Sequence, residues 1–191
     1  MKKTWIIVLA AVALLVFWGV GVYNSLVSKD EGVKTAWSQV ENVYQRRADL
    51  IPNLVSTVKG YAAHEKGTLE GVMEARGKAM GVSGGNLSEE NVAAYGKAQG
   101  EVSSALNRLL MVVENYPDLK ANQNFLDLQA QLEGTENRIA EARRAFNEVA
   151  KEYNSYLRKF PNNVIAGMFN FQQKGYFEAD EEAKKAPKVE F

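Results

Sequence analysis

Few residues in this 191-residue chain could do chemistry, and its single histidine shows why. The stretch His64-Glu65-Lys66-Gly67-Thr68 begins like the zinc-protease motif HExxH, but Thr68 stands where the second histidine ligand would be. Di-iron sites in helical bundles need two Glu-x-x-His motifs, which one histidine cannot supply. The chain has no cysteine, so disulfides, thiolate metal sites and cysteine nucleophiles are excluded. The sequence therefore predicts no metal and no cofactor.

Carboxylates offer the remaining route to catalysis. Glu70 and Glu74 lie one helical turn apart and could act together as acid and base. The favoured interpretation is an exposed acidic patch beside Arg76 and Lys78. The chain contains neither a GxSxG nucleophile turn nor a Walker loop. We expect a protein that is not an enzyme and has no catalytic residue.

One polar group interrupts an otherwise apolar helical register. Arg47 occupies a core position, Asp49 and Asn53 lie one turn apart on a common face, and Lys59 follows beyond Pro52. A charge that faces a core must be paired or must extend to solvent. These four side chains predict a polar clip that fixes helix register. The alternative is a groove that recognises a partner's backbone or carboxylate.

Apolar residues recur at three- and four-residue steps along three stretches, as in helices packed at a shallow angle. The longest stretch is a coiled-coil-like heptad seam that stops at Pro161: Phe125, Leu128, Leu132, Thr135, Ile139, Ala142, Phe146, Val149, Tyr153, Tyr156 and Phe160. The second stops at Pro117: Val92, Tyr95, Gln99, Val102, Leu106, Leu109, Val113 and Tyr116. The third is Val33, Trp37, Val40, Tyr44, Arg47, Ile51, Leu54, Val58 and Tyr61. We expect this last helix to continue to about Arg76.

Proline and glycine mark the ends and irregularities of these helices. Gly81–Asn86 is a turn between two of them. Pro52 lies inside a helix, removes the hydrogen bond to the carbonyl of Ala48, and predicts a kink. Beyond Pro161, the segment Asn162–Gln173 predicts a short amphipathic helix. Its apolar face is Val164, Ile165, Met168 and Phe169.

The run from Trp5 to Tyr23, WIIVLAAVALLVFWGVGVY, carries no charge and is almost wholly apolar. As a helix it spans ~28 Å, close to the ~30 Å thickness of bilayer hydrocarbon. A cleaved signal peptide is the alternative, since Gly19-Val20-Gly21 could be a cleavage site. The run exceeds a usual signal-peptide core, and helix-favouring sequence follows it without a break. Both features favour a retained single-span anchor.

These elements predict an all-α fold. An N-terminal transmembrane helix precedes an antiparallel up-and-down four-helix bundle, made of three long helices plus a short C-terminal one. Residues 1–28 would be a cytoplasmic stub and the span, 29–175 the bundle, and 176–191 a C-terminal tail. Two of the 23 basic residues precede the apolar run and all 23 acidic residues follow it, so the remainder carries a net charge of −2. Nucleic-acid binding is not expected from that charge.

Several motifs resemble the signature of the LemA family. They are Ala36-Trp37-Ser38, the run Arg46–Val55 (RRADLIPNLV), Val58–Glu65 (VKGYAAHE), Phe160-Pro161-Asn162 and the segment from Phe177 to Phe191. The resemblance covers essentially the whole chain. It implies a bacterial single-span membrane protein with an antiparallel helical bundle. It implies no catalytic residue, because the family's members are not known as enzymes and its molecular function is not established.

The sequence thus predicts a non-enzymatic, membrane-anchored bundle that acts by protein binding at the bacterial envelope, as adaptor or regulator of another envelope protein. The alternative is a small-ligand or lipid-binding sensor with an inter-helix cleft near Pro52 or near Phe169, Phe171, Tyr176 and Phe177. An open, polar-rimmed cavity would favour the ligand, and a filled core the adaptor. Lys2 and Lys3 favour a cytoplasmic N-terminus, with the domain on the periplasmic side of the inner membrane.

Overall fold

A computed structural model describes residues 2–178, and this part of the chain is all-helical, as predicted. Its helices are α1 (Lys2–Tyr61), α2 (Lys66–Met80), α3 (Glu89–Val113), α4 (Pro117–Lys120), α5 (Gln123–Arg158) and α6 (Asn162–Met168). The tail predicted for 176–191 lies outside the described residues from 179 onwards. An extended segment, 171–178, follows α6 and returns along the other helices.

The helix α1 runs without interruption from the apolar run into the core of the protein. It contains 60 residues and is therefore about 90 Å long. Side chains from Trp5 to Val20 are largely exposed, and burial in the core begins at Val22. Among the described residues, α1 is the one helix long and apolar enough to cross a membrane, judged by length and composition. From Trp5 to Phe17 every described side chain of the run is exposed, and an apolar surface of this size is typical of a membrane or protein contact.

The first helix ends earlier than predicted, because the chain reverses between α1 and α2. The predicted continuation to Arg76 is wrong. Between Val58 and Leu69 the core receives only the small side chain of Ala62, because Tyr61 is exposed, so a continuous helix would have little to bury there. Gly60 and Gly67 flank the turn, and each lowers the helix preference by about 1 kcal/mol relative to alanine. Folding back places Leu69 in the same core as Val58.

The longest helices pack side by side in opposite directions. On α1 and α5, Gly32 lies beside Val149 while Arg47 pairs with Glu136, so residue numbers rise on one helix as they fall on the other. The helix α2 packs on both α1 and α3. Short connections between consecutive helices make such antiparallel neighbours the expected outcome.

Burial follows the three predicted seams. All their positions are buried or half-buried except two, Tyr61 and Phe160, which are exposed. These two predictions are wrong because both seams were extended to the limit of their helices. Tyr61 is the last residue of α1, and Phe160 lies beyond the end of α5 at Arg158.

The predicted helix Asn162–Gln173 is too long and turns a different face to the core. It ends at Met168, since Asn170 adopts a left-handed φ of 56° and the Phe171 N–H bonds back to the Ala166 carbonyl at 2.9 Å. Ala166 is buried and Ile165 is half-buried. The other residues of the predicted apolar face are exposed: Val164, Met168 and Phe169.

Pro52 lies inside α1, and a side chain from α2 compensates for the hydrogen bond it removes. The helix remains α-helical on both sides of Pro52. Proline has no N–H to donate to the carbonyl four residues back. The guanidinium Nε of Arg76 donates to that carbonyl, on Ala48, at 2.7 Å. This bond joins α2 to α1 at the point where α1 would otherwise carry an orphaned backbone acceptor.

A double-mutant cycle tests this compensation. In the Pro52→Ala background, the N–H of residue 52 can bond to Ala48, so the Arg76 donor is less needed. We expect Arg76→Met to destabilise the wild-type background by about 1 kcal/mol more than the Pro52→Ala background. Unfolding in detergent micelles, followed by circular dichroism, gives the four values. Arg138→Met, on the exposed surface of α5, should show no such coupling. Equal costs of Arg76→Met in both backgrounds would contradict the interpretation.

Candidate functional site

Arg47 is a buried charge in the middle of the helical core. It lies on α1 between Tyr44 and Ile51, at the three- and four-residue spacing that keeps a helix face inward. Only 2% of its surface is exposed. A guanidinium cannot lose its proton in a protein, so its position inside the fold requires partners there.

Those partners come from two other helices. Nη2 of Arg47 donates to the carbonyl of Gln99 at 2.9 Å and to its Oε1 at 2.8 Å. Nη1 donates to Ser103 Oγ at 2.8 Å and to Glu136 Oε2 at 3.1 Å. The guanidinium also lies 5.0 Å from the centre of the Tyr44 ring. Glu136 keeps its side chain 57% exposed, so the counter-charge reaches inward from solvent.

We call Arg47, Gln99, Ser103 and Glu136 the polar layer, because they divide the apolar core in two. The proximal cluster, nearer the apolar run, ends on α1 at Tyr44 and on α3 at Tyr95. The distal cluster begins at Ile51 and Val102 on the same helices. Among the described residues, no buried side-chain nitrogen or oxygen lacks a hydrogen-bond partner. The bonds from Arg47 to α3 and α5 are those that the predicted clip would require.

Clefts open on both sides of the Arg47 side chain. The larger has a volume of about 390 Å³ and lies between α1, α2 and α3. Its walls include Glu41, Gln45, Arg47, Arg76, Tyr95 and Gln99. The smaller, of about 220 Å³, lies between α3 and α5. Arg47 lines this one too, together with Ser103, Asn107, Gln129, Glu133 and Glu136.

Of the four residues singled out in the sequence, only Arg47 belongs to the polar layer. Asp49, Asn53 and Lys59 are exposed on α1. The Asp49 carboxylate accepts a hydrogen bond from Gln45 Nε2 at 2.8 Å, one turn away on the same helix. The structure therefore separates the inward-facing arginine from three solvent-facing side chains. The choice between clip and groove stays a prediction.

The larger cleft offers hydrogen bonds rather than an acid–base pair. Burial raises the pKa of Tyr95 to about 12, with smaller contributions from Glu41 and Tyr44. Its hydroxyl is therefore protonated near neutral pH and can act as a donor. This phenol and the Arg76 guanidinium suit recognition of an acceptor-rich surface or molecule.

The carboxylates considered for catalysis lie elsewhere and pair with lysines of their own helix. Glu70 lies 3.7 Å from Lys66, and Glu74 lies 2.8 Å from Lys78. The hydrogen bond from Lys78 lowers the pKa of Glu74. All four side chains are exposed. Glu70 and Glu74 are exposed, as predicted, but they pair with Lys66 and Lys78, while Arg76 bonds to Ala48.

An extended segment missed by the sequence analysis crosses the helices near their proximal end. We call residues 171–178 the strap. Asn154 Nδ2 donates to the Lys174 carbonyl and Asn154 Oδ1 accepts from the Lys174 N–H, both at 2.8 Å. Asn147 makes the same pair of bonds to Phe177, again at 2.8 Å. The signal in the sequence was the placing of two asparagines one heptad apart, beside the seam of α5.

The strap is also held against α1 and the start of α3. The ring of Phe177 stacks on Trp37 in the proximal cluster, with 5.6 Å between ring centres. The Gly175 N–H donates to the Leu87 carbonyl at 2.8 Å. A Cβ on Gly175 would lie 2.6 Å from the Cα of Glu89, so only glycine permits this approach. The strap therefore joins α1, α3 and α5.

A shielded ion pair adds an electrostatic link between the strap and α1. Lys174 Nζ lies 2.9 Å from Asp30 Oδ1, and the side chains are 12% and 16% exposed. Burial by itself raises the pKa of Asp30, but hydrogen bonds from Lys174 and Lys34 outweigh it and leave the pKa lowered. Asp30 is thus charged at neutral pH and retains both lysines as partners.

Fold and site together define a class: an all-helical protein in which one helix carries an exposed apolar run into a core crossed by a polar layer. The model of the LemA family matches residues 36–191. The chain belongs to the LemA family, and the resemblance seen in the sequence is confirmed. Arg47 and the strap both fall within the matched residues.

The chain is also similar to several named proteins. It is 29% identical over 177 residues to magnetosome protein MamQ 2 of Paramagnetospirillum magneticum, which covers 82% of this chain and 64% of that protein. It is 29% identical over 176 residues to magnetosome protein MamQ of Magnetospirillum gryphiswaldense, covering 81% and 64%. Protein LemA of Metamycoplasma hominis is 24% identical over 170 residues, covering 89% and 75%. The match thus spans less than two thirds of the MamQ proteins' length.

Substitutions of Arg47 distinguish the clip from the groove. Arg47→Ala should destabilise the protein by about 3 kcal/mol, the low end of the range for breaking a buried pair, because Glu136 can return to solvent. Arg47→Met keeps the apolar stem and should cost less. Asp49→Ala, at an exposed position, should cost less than about 0.5 kcal/mol. Unfolding of the full chain in detergent micelles provides the comparison. An Arg47→Ala variant as stable as Asp49→Ala would rule out the clip.

Proposed function

We propose that this protein is a non-enzymatic binding platform of the bacterial inner membrane, an adaptor or regulator of another envelope protein. The observation that supports this most is the continuity of α1 from the apolar run to the distal cluster. A continuous helix holds the surfaces of the core at a fixed height above the bilayer. Arg47 lies roughly 36 Å beyond Tyr23 along the helix axis. LemA-family membership and similarity to the MamQ and LemA proteins fit a membrane-associated protein.

The proposal includes an arrangement in the membrane. The run Trp5–Tyr23 is a retained single span, with Lys2 and Lys3 in the cytoplasm by the positive-inside rule. The helices α1, α2, α3 and α5 form an antiparallel up-and-down bundle on the periplasmic side. In this arrangement the short C-terminal helix of the predicted bundle is replaced by α2, which the sequence analysis had joined to α1.

The larger cleft is the proposed contact site for the partner. It is open to solvent, and the polar side chains of Glu41, Gln45 and Arg76 line it beside the phenol of Tyr95. Carboxylate, amide and guanidinium groups in one cleft can satisfy both donors and acceptors of a polypeptide segment. The polar layer forms the floor of this cleft. It stays fixed because Nη1 and Nη2 of Arg47 are both already hydrogen-bonded within the protein.

A small soluble ligand is the second candidate for the same cleft. The cleft has a volume of about 390 Å³, which falls within the range of small-molecule sites. The height of the cleft argues against a lipid, since roughly 36 Å separates it from the end of the span. This second function would make the protein a sensor rather than an adaptor.

Site-specific photocrosslinking in intact cells separates the two functions. We expect p-benzoylphenylalanine in place of Gln45, at the rim of the cleft, to capture one defined envelope protein. The same residue in place of Glu141, exposed on α5, is the matched control. Ser83→Trp, which would fill the cleft, should abolish the capture from position 45. Native mass spectrometry of the solubilised protein tests the sensor function, because it detects the mass of a bound small molecule.

The outcomes are distinct. Capture at position 45 that Ser83→Trp abolishes supports the adaptor. A small bound mass that Ser83→Trp removes, without protein capture, supports the sensor instead. Capture that is equal at positions 45 and 141 contradicts a role for the cleft. In the same cells, a membrane-impermeant maleimide should label Glu141→Cys in spheroplasts, and labelling only after lysis would reverse the orientation.

A further inference from the structure

The corner between α5 and α6 carries a second exposed apolar surface beside the apolar run. Phe160 is 83% exposed and Met168 is 73% exposed, and Val164 and Phe169 are also exposed. Side chains of this size are a poor fit to water, and four of them lie within ten residues of chain. We call Phe160, Val164, Met168 and Phe169 the foot.

Contacts with α1 place the foot at a definite level of the apolar run. Ile165 Cδ1 lies 3.6 Å from the position that a Cβ of Gly19 would occupy. The ring of Phe169 lies 4.7 Å from the ring of Tyr23, measured between centres. Gly19 is one helical turn inside the end of the run at Tyr23, about 6 Å along the axis. The foot is therefore level with the last turn of the proposed span.

The charge of this segment matches a bilayer surface. From Arg158 to Gln173 the chain contains two basic residues and no acidic one, in the sequence RKFPNNVIAGMFNFQQ. Arg158 and Lys159 are exposed directly beside Phe160. Apolar side chains flanked by lysine and arginine are typical of segments that enter the headgroup region of membranes with anionic lipids.

We infer that the foot is seated in the headgroup region of the same bilayer that the apolar run spans. This rests on the proposed span and extends it: the core does not stand above the membrane on a bare helix, but touches the lipid with a second element. Ile165 and Ala166 face the protein, while Phe160, Val164 and Met168 are exposed, so one short helix joins the core to the bilayer. Two contacts with the membrane also fix the tilt of α1 and the direction in which the larger cleft opens.

Depth-dependent fluorescence quenching tests this inference on the full chain. Because the chain contains no cysteine, a single cysteine can be introduced and labelled with a polarity-sensitive fluorophore. Three variants are needed: Met168→Cys in the foot, Val16→Cys in the middle of the run, and Glu141→Cys on exposed α5. Each is reconstituted into vesicles of phosphatidylethanolamine and phosphatidylglycerol. Spin-labelled lipids quench either near the headgroup or near the chain end.

We expect the label at position 168 to be quenched at least about twofold more by the shallow lipid than the label at position 141, as for a segment buried several ångströms into the interface. The label at position 16 should be quenched most by the deep lipid. Val164→Cys repeats the measurement on the foot and should behave as Met168→Cys does. If the label at position 16 is quenched and the label at position 168 is not, the inference that the foot touches the bilayer is overturned and the proposed span stands. An unquenched position 16 would overturn the span, and the foot with it.

Discussion

A guanidinium removed from water must recover its hydrogen bonds inside the protein, and Arg47 does so with partners on two other helices. Its partners are Gln99 and Ser103 on α3 and Glu136 on α5. Sliding any of these helices by one turn would leave a buried charge unpaired, at a cost of several kcal/mol. The apolar clusters on either side stabilise the fold by burial. They specify the alignment of the helices only weakly, because leucine and valine tolerate many neighbours. We propose that the polar layer supplies the register.

Other features of the fold depend on that register. Arg76 reaches the Ala48 carbonyl only if α2 folds back on α1 at the observed height. The strap meets Asn147 and Asn154 two turns apart on α5, and its Phe177 stacks on Trp37 of α1 only while those helices keep their alignment. The larger cleft is bounded by three of these helices, so its shape follows as well. Because α1 is continuous, it also links this arrangement to the apolar run.

Periodicity in the sequence was enough to predict α3 and α5, the inward faces of α1, α3 and α5, and the buried position of Arg47. Gln99 also stood in a predicted seam, so half of the polar layer was visible as polar residues in apolar registers. Glu136 was not, because an exposed carboxylate that reaches inward leaves no periodic signal. The strap was missed because side-chain amides hold its backbone, and backbone hydrogen bonds are not encoded in a hydrophobic pattern. The reversal after Tyr61 was missed because helical spacing continues through it.

Disulfide trapping tests most directly whether the polar layer sets the register. Gly32→Cys with Val149→Cys reports the native alignment of α1 and α5, and Gly32→Cys with Ala142→Cys reports a slip of one heptad, about 10 Å. In the native background only the first pair should close. With Arg47→Met, Gln99→Leu and Ser103→Ala together, the inward-facing polar groups of α1 and α3 in this layer are removed, and the account predicts that both pairs close. Trapping of the native pair alone in both backgrounds would contradict it.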